Sequence, residues 1–411
     1  MSSPPDRRLN RLGLVLDQIL FSHGDRFSTD EVFVRFIESV ARARFDRVRF
    51  CSRVLIADAD APYELDSELF DIVELPWYRD IPQLFTRAPM LLPRIARVLR
   101  READNWDLVI ASGIHPLSAM VLRHARRHGR PAVLWIRGNL MADLAHRTQG
   151  MRRVAALAAA RACMAAIPSG TPVVSMGRAD FGFFRRMGPV QIAYSSKFRE
   201  ADVVAARHRW RRPTDPPRIL YVGRLAPEKG LEILIDALRL LSARVKPMPR
   251  TTIVGSDFHG SSWGEDFSRR VRASDLRGHV DFLGHVPFGP GLMAQYDAHD
   301  VLVLPSFTEG FPQVVLEAMA RGLPVVASRV GGLPALIPSD ENGLLVTPGD
   351  PQELAIAIEK AVADPRRAEA LSRKGLETAR RFTNEVQVET VVRFLDRCFP
   401  MAPFSRARQG A

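Results

Sequence analysis

Apolar residues along this chain form short continuous runs that alternate with longer segments of helical periodicity. In the first half the runs predict strands at 12–16, 48–56, 108–111, 132–136 and 173–175. Helical patterns between them begin near Thr29, Phe85, Pro116 and Met151. Strands that are apolar on both faces and separated by helices indicate a parallel sheet covered on both sides.

The second half repeats this alternation after a polar, proline-rich segment, 206–217, which is typical of a linker. Strands are expected at 219–222, 252–254, 280–282, 301–304, 324–327 and 344–346. Helices should begin near Gly230, Ser262, Gly291, Pro312, Pro351 and Arg366. A first domain at 1–205 and a second at 218–384 follow, and we expect the remaining segment, 385–411, to cross back and pack on the first domain.

Composition places the chain among ordinary globular proteins. Its 411 residues can build two cores, and 46% apolar with 25% charged residues is typical of a soluble protein. The three cysteines have no paired spacing, which fits a reducing compartment. We recognise neither a signal peptide nor a run long enough to cross a bilayer, and so expect a cytoplasmic protein.

The positive charge is unevenly distributed. The first 200 residues hold 30 lysines and arginines against 21 acidic residues, whereas the rest hold 28 against 25. Such a basic half could meet a phosphate-bearing acceptor, an anionic membrane or nucleic acid, but a coding bias towards arginine would produce the same excess. Nucleic acid is the partner we exclude, because no nucleic-acid-binding motif is present.

A basic amphipathic helix is predicted at 82–101, where apolar positions alternate with Arg87, Arg94, Arg97 and Arg100. Such a helix can lie on an anionic membrane surface, which would make the protein peripheral to a membrane. The same pattern is expected of an ordinary helix that packs on the sheet with its arginines outside, and this is the interpretation we prefer.

Two carboxylates, Glu309 and Glu317, flank a predicted strand-to-helix junction. The strand at 301–304 precedes them, and Pro312 suits the first turn of the helix that follows. Glu309 should therefore lie in the loop and Glu317 about a turn and a half into the helix. Open α/β sheets bind ligands at this edge, so a polar pocket is expected here.

A second junction follows the strand at 219–222 and reads Gly223-Arg224 and, after four residues, Lys229-Gly230. Glycine at a strand end lets a ligand approach the backbone. Arg224 and Lys229 can face one crevice, neutralise a diphosphate and stabilise it as a leaving group, which is work that a metal does in other enzymes. No acidic or His/Cys metal motif is evident, so we expect no metal and no other cofactor.

Two further turns follow predicted strands. Gly331 and Gly332 permit a positive φ and close approach to a phosphate or sugar, although structural turns explain most such pairs. His285 and Val286 follow the strand at 280–282, where backbone groups could contact a nucleobase.

Together these motifs resemble glycosyltransferase family 4. The resemblance rests on their order and spacing over about 217–383 and is thin over the first 200 residues. It implies the GT-B fold, an α/β arrangement of two Rossmann-like domains with parallel sheets that face a central cleft. It also implies a nucleotide-sugar bound by the C-terminal domain, retention of anomeric configuration and no divalent metal.

The resemblance implies roles residue by residue. Arg224 and Lys229 would hold the diphosphate, Glu317 the ribose hydroxyls, and Glu309 the donor sugar. The remaining donor-binding positions that we take from these motifs are Gly223, His285, Val286, Gly310, Phe311, Pro312, Gly331 and Gly332. Ala335 departs from the family, which often has glutamate there.

The N-terminal half departs further. Residues 22–27 hold one glycine where the family often has a glycine-rich loop, and Arg137 begins the segment where a His-Gly or Arg-Asp pair is frequent. The segment 106–116 does resemble its family counterpart. His115 is therefore a catalytic candidate, and His23 and Arg137 are candidates on the acceptor side.

From these motifs we expect a retaining enzyme of EC class 2.4, of the kind used in polysaccharide biosynthesis, that transfers a hexose to a glycan, lipid or small-molecule hydroxyl. A nucleotide-sugar epimerase of the same fold and a non-catalytic nucleotide-sugar binding protein are the alternatives. Detection of transfer to an acceptor separates all three.

Overall fold

The computed structural model describes residues 11–29, 32–56, 61, 63–137, 150–176, 186–206, 215–257 and 261–400. Its strands β1–β15 are, in chain order, Arg11–His23, Arg26–Thr29, Arg47–Ile56, Tyr63–Glu64, Phe70–Glu74, Leu108–Ser112, Ala132–Ile136, Val173–Ser175, Val190–Ile192, Arg218–Val222, Arg250–Val254, Val280–Gly284, Val301–Leu304, Val325–Ser328 and Leu344–Val346. Its α-helices α1–α14 are Val32–Arg44, Ile81–Thr86, Ala88–Ala103, Pro116–Arg127, Gly150–Ala166, Glu200–Ala206, Leu231–Arg244, Trp263–Arg272, Pro290–Ala298, Gln313–Ala320, Leu333–Leu336, Pro351–Ala363, Pro365–Arg380 and Asn384–Cys398.

The chain folds into two compact units. The first contains residues 1–195 and 387–411, and the second contains 196–386. Residues 196–205, which the sequence analysis assigned to the first domain, therefore belong to the second unit, because Phe198 and Val203 are buried in its core. Most of the expected linker, 207–214, and the final residues 401–411 lie outside the described residues.

In the first unit, β1 lies in the middle of a sheet that is parallel along β3, β1, β6, β7, β8 and β9. β1 is longer than expected, because it continues to His23 and turns through Gly24 into the antiparallel strand β2. The segment 22–27 is thus the tip of a β-hairpin, not an open loop after the strand. The sequence analysis did not predict this hairpin, whose tight turn depends on the positive φ of Gly24.

The second unit is built on a fully parallel sheet. Its strand order is β12-β11-β10-β13-β14-β15, so the order reverses between β10 and β13. The strands β10, β13 and β14 of this sheet are buried on both faces, as their continuous apolar sequences predict. Open sheets bind ligands at the carboxyl ends of the strands beside such a reversal.

The last helix, α14, returns to the first unit as expected. Val388, Val391 and Phe394 are buried in the same apolar cluster as residues of β1, β3 and α1. The ion pair between Arg44 Nε and Asp396 Oδ1, at 2.7 Å, adds a polar contact between this helix and α1. The expected α/β class with two parallel sheets is confirmed.

Among the described residues, no helix has the length and apolar composition needed to cross a membrane. Cys51 is buried, Cys163 and Cys398 are partly buried, and all three are free thiols.

Candidate active site

The loops that leave the carboxyl ends of β10, β13 and β14 are held together by their backbones. A Cβ on Gly230 would lie 2.0 Å from the carbonyl oxygen of Pro305, and one on Gly331 would lie 1.7 Å from that of Glu309. Both glycines also have positive φ, at 67° and 54°, which other residues adopt only with strain. Glycine is required at these two positions because one backbone touches another.

Hydrogen bonds close the same assembly. The amide of Phe307 donates to the carbonyl of Glu228 at 2.9 Å, and the amide of Gly332 donates to the carbonyl of Gly310 at 3.2 Å. The Gly331-Gly332 turn therefore supports the loop that carries Glu309, a role that the sequence analysis did not foresee. Three segments far apart in sequence are fixed into one rigid rim.

Lys229 and Glu309 form the central ion pair of this rim. Lys229 Nζ lies 2.7 Å from Glu309 Oε1, and the side chains are only 14% and 10% exposed. The hydroxyl of Ser306 donates to the same oxygen at 2.7 Å. The lysine follows β10 and the glutamate follows β13, so adjacent strands deliver opposite charges to one place. Lys229 and Ser306 together hold the carboxylate in position through its Oε1 atom.

Arg224 is the more exposed cation of the pair that the sequence placed here. Its Nη2 lies 3.3 Å from Glu228 Oε1, and both side chains are nearly half exposed. Its carbonyl accepts a hydrogen bond from the hydroxyl of Tyr221 at 2.9 Å. Because exposed pairs of this kind are weak, the guanidinium can exchange Glu228 for an anionic ligand at little cost.

Glu317 lies on α10 as expected, but it is almost completely buried, at 2% exposure. Tyr296 of α9 donates its hydroxyl to Glu317 Oε2 at 2.8 Å. Burial raises the pKa of Glu317, and the charge of Lys197 and the Tyr296 hydrogen bond oppose that shift. A buried carboxyl with a raised pKa and one committed oxygen is a candidate for binding polar groups of a ligand.

The remaining donor-side positions lie along the same edge of the second unit. Gly310 is exposed, Phe311 is half-buried against the ring of Phe382 at 6.0 Å, and Pro312 directly precedes α10. His285 is exposed and Val286 is half-buried in the segment that follows β12. Gly223 directly follows β10, and its amide donates to the carbonyl of Val254 at 3.0 Å. The exposed Ala335 lies on α11.

His115, the catalytic candidate of the first unit, lies directly before α4. Its Nδ1 accepts the amide of Leu117 at 3.2 Å and so caps α4, while Nε2 lies 3.1 Å from Asp17 Oδ2. The ring is 5% exposed. The contacts with Leu117 and Asp17 fix the orientation of the imidazole.

Asp17 is the centre of a buried polar cluster that the sequence analysis missed. Arg53 Nη2 lies 3.0 Å from Asp17 Oδ1, and the Tyr78 hydroxyl donates to the same oxygen at 2.5 Å. Burial by itself would raise the pKa of Asp17, but His115, Tyr78 and Arg53 together lower it to about 2. The register of β1, β3 and β6 brings these residues together at one sheet edge, which spacing along the chain does not reveal.

The two acceptor-side candidates lie elsewhere in the first unit. His23 is half-buried at the end of the β1–β2 hairpin, opposite Arg26. Arg137 follows β7, and its guanidinium lies 5.0 Å from the centre of the Phe33 ring. Residues 138–149, which follow Arg137, lie outside the described residues.

Sequence reasoning did not find three residues of the candidate site in the second unit. They are Ser306, Tyr296 and Lys197. Ser306 lies three residues before Glu309 and could have been noted. Tyr296 donates a hydrogen bond to Glu317, and the charge of Lys197 lowers the pKa of that carboxyl. Both lie in segments distant from Glu317, and nothing in their local sequence marks them.

Part of the chain matches a known family profile, and almost the whole chain is similar to solved structures. Residues 204–378 match the family profile described as Glycosyl transferases group 1. Sucrose-phosphate synthase from Thermosynechococcus elongatus has a similar structure, with a TM-score of 0.69 and 23% identity over 95% of this chain and 99% of that one. The Anabaena HepE protein in complex with UDP-glucose is similar at a TM-score of 0.64 and 20% identity, over 94% of this chain and 99% of that one.

The chain has the GT-B fold. Among curated proteins, it is similar to the D-inositol 3-phosphate glycosyltransferase of Stackebrandtia nassauensis, with 35% identity over 194 residues. That match covers 45% of this chain and 43% of the relative, so the chain spans less than half the length of the curated relatives it matches. The family profile covers the part of this GT-B chain that carries the Lys229–Glu309 pair.

Proposed function

We propose that the chain is a retaining glycosyltransferase of family 4 that transfers a hexose from a nucleoside-diphosphate sugar to a hydroxyl acceptor without a divalent metal. The observation that carries the proposal is the Lys229–Glu309 pair, held at 2.7 Å within the rim at the ends of β10 and β13. In the proposal, Lys229 contacts the leaving diphosphate and Glu309 contacts the sugar.

In this proposal the second unit binds the whole donor. Arg224 and Lys229 contact the diphosphate, and Glu317 accepts hydrogen bonds from the ribose hydroxyls. Glu309 contacts the sugar, with Gly310 and Phe311 beside it. The bond between the anomeric carbon and the diphosphate oxygen breaks, and its electron pair leaves with the diphosphate. The positive charges of Arg224 and Lys229 stabilise the charge that develops on this oxygen.

The acceptor hydroxyl then bonds to the anomeric carbon on the face that the diphosphate leaves, and its proton passes to the departing diphosphate oxygen. Retention requires this same-face approach.

The comparisons favour a uridine nucleotide as the first donor to try, because the Anabaena HepE structure holds UDP-glucose. They also favour transfer over epimerisation, since the curated relative from Stackebrandtia nassauensis is named a glycosyltransferase. A non-catalytic binding protein is distinguished by the assay alone.

The test has two steps. Nucleoside diphosphates and their hexose derivatives are screened by thermal shift, because a ligand of the native state raises the melting temperature. The donor found is then incubated with hydroxyl acceptors in excess EDTA, and the product is examined by NMR for the anomeric configuration. We expect a product with the configuration of the donor. An inverted product, an epimerised donor or activity that requires added Mg²⁺ would contradict the proposal.

A further inference from the structure

Exposed large apolar side chains are concentrated in one part of the first unit. Those that lie there are Leu55, Ile56, Trp77, Ile81, Phe85 and Met90. Each is at least 40% exposed, and Ile56 reaches 87%. Apolar residues scattered singly over a surface need no explanation, whereas a group in one region marks an interaction site.

These side chains share a surface because of local geometry. Ile81 and Phe85 are four residues apart on α2 and so lie on one face, with Leu84 buried on another. Leu55 follows Arg53 by two residues on β3 and therefore points to the same side of the sheet. The guanidinium of Arg53 lies 6.0 Å from the ring of Trp77, which connects the strand end to the segment before α2.

A stripe of arginines continues from this group along α3. Met90, Arg94, Arg97 and Arg101 are spaced by four, three and four residues, which places them on one face of the helix. All four are exposed. Among the described residues, no acidic side chain forms an ion pair with any of the three arginines.

The opposite face of α3 packs on the sheet through Leu91, Ile95 and Leu99, which are buried. The interpretation preferred from sequence, an ordinary helix with its arginines outside, is therefore correct for that face. It does not account for the apolar side chains that precede the arginines on the exposed face.

We propose that Trp77, Ile81, Phe85, Met90 and the Arg94–Arg97–Arg101 stripe form a docking surface for an anionic lipid bilayer. Apolar side chains of an interfacial helix enter the boundary between headgroups and acyl chains. Arginine side chains at the same depth meet lipid phosphates, and each positive charge near an anionic surface strengthens attachment. Charge complementarity favours an anionic lipid surface over a purely apolar partner. The three arginines form no ion pair within the part of the chain that the structure describes, so their charges can meet lipid phosphates.

This surface does not depend on the proposed reaction, and vesicle binding tests it directly. The full chain is sedimented with vesicles of phosphatidylcholine, with and without phosphatidylglycerol. We expect binding to the anionic vesicles only. The triple variant R94E/R97E/R101E should bind them roughly tenfold or more weakly. The matched control R123E/R127E/R366E changes net charge equally at exposed positions outside the surface and should bind as the native chain does.

A second measurement locates the apolar part. Trp77 fluorescence should be quenched by vesicles that contain brominated lipid, and the quenching should be much smaller in W77F. Among the other described tryptophans, Trp106 and Trp135 are fully buried and Trp263 is half-buried in the second unit. The variant I81S/F85S should bind anionic vesicles more weakly than the native chain.

Three results with vesicles would overturn the proposal. They are absence of binding to anionic vesicles, equal weakening in the two triple variants, and equal quenching in W77F. A dimer in sedimentation that I81S/F85S abolishes would also overturn it, since the patch would then be a contact between two copies of the chain.

Discussion

Lys229 Nζ and Glu309 Oε1 lie 2.7 Å apart although 80 residues separate them in sequence. Neither side chain is more than 14% exposed. The pair joins the loop after β10 to the loop after β13, so it stabilises the rim of the candidate site as well as supplying its charges. Structural and functional effects of these residues must therefore be separated by measurement.

The first prediction concerns the stability that this pair provides. Lys229→Ala should lower the free energy of unfolding by on the order of 3 kcal/mol, because it leaves a largely buried carboxylate without its partner. Lys229→Met combined with Glu309→Gln should recover most of that loss. Urea denaturation of the single and double variants measures the coupling, and strictly additive losses would contradict it. Arg373→Ala, which breaks an exposed pair with Glu377, should cost less than about 1 kcal/mol.

The second prediction concerns the diphosphate. Arg224→Ala should weaken binding of a nucleoside diphosphate by roughly 1.5–3 kcal/mol, the range for a hydrogen bond to a charged group. It should leave stability nearly unchanged, because its pair with Glu228 is exposed. Titration calorimetry provides the affinity. Arg244→Ala, which breaks an exposed pair with Glu359, is the matched control and should bind as the native chain does. Equal affinities in all three proteins would refute the role of Arg224.

The third prediction separates the two glutamates. Glu317→Gln should weaken binding of both free nucleoside diphosphate and nucleotide-sugar, since we assign this carboxyl to the ribose. Glu309→Gln should leave the affinity for free nucleotide nearly intact and lower turnover by about 10²–10³, the usual effect of losing one well-placed electrostatic contact. Calorimetry and initial rates give the two quantities, and the reverse pattern would show that the roles are exchanged.

The fourth prediction is a pH dependence at Glu317. Because burial raises its pKa, lowering the pH through that value protonates the carboxyl and should weaken nucleotide binding. A group with a raised pKa in the folded state stabilises the fold at low pH and loses that contribution as pH rises. As the pH falls, the affinity for nucleotide should therefore decrease while the contribution of Glu317 to stability increases. Glu317→Gln is the control, because it removes the titration of this carboxyl and leaves that of the nucleotide phosphate.

Tyr296→Phe provides an independent variant for the same prediction. The Tyr296 hydroxyl opposes the increase in the pKa of Glu317, so its removal should move both transitions to higher pH. Transitions that stay in place in Tyr296→Phe would show that another group controls them.

The fifth prediction concerns acid stability of the first unit. The pKa of Asp17 is lowered from 3.8 to about 2, so its contribution is complete above the unfolded value and is lost as pH falls towards 2. That shift corresponds to about 2 kcal/mol. Asp17→Asn should remove a stabilisation of this order at neutral pH and flatten the dependence between pH 4 and pH 2. The exposed Asp25→Asn should change neither, and denaturation across this pH range compares them.

The sequence by itself determined the architecture and the positions of the main donor-side residues. Continuous apolar strands separated by helical periodicity predict a parallel sheet, because both faces of each strand must be buried. The proline residues that begin these helices act locally, so the starts of α10 and α12 agree with the sequence to within one residue. Glu309 and Glu317 were placed in the loop and on the helix for the same reason.

Only the tertiary structure decided what these residues contact. The Gly331-Gly332 turn supports the backbone of the Glu309 loop, and Tyr296 reaches Glu317, because the strand order of a sheet is not written in local sequence. Pairing between β1, β3 and β6 likewise brings His115 to Asp17. Local patterns fix elements and loops, whereas contacts between distant segments depend on how the strands are ordered and aligned.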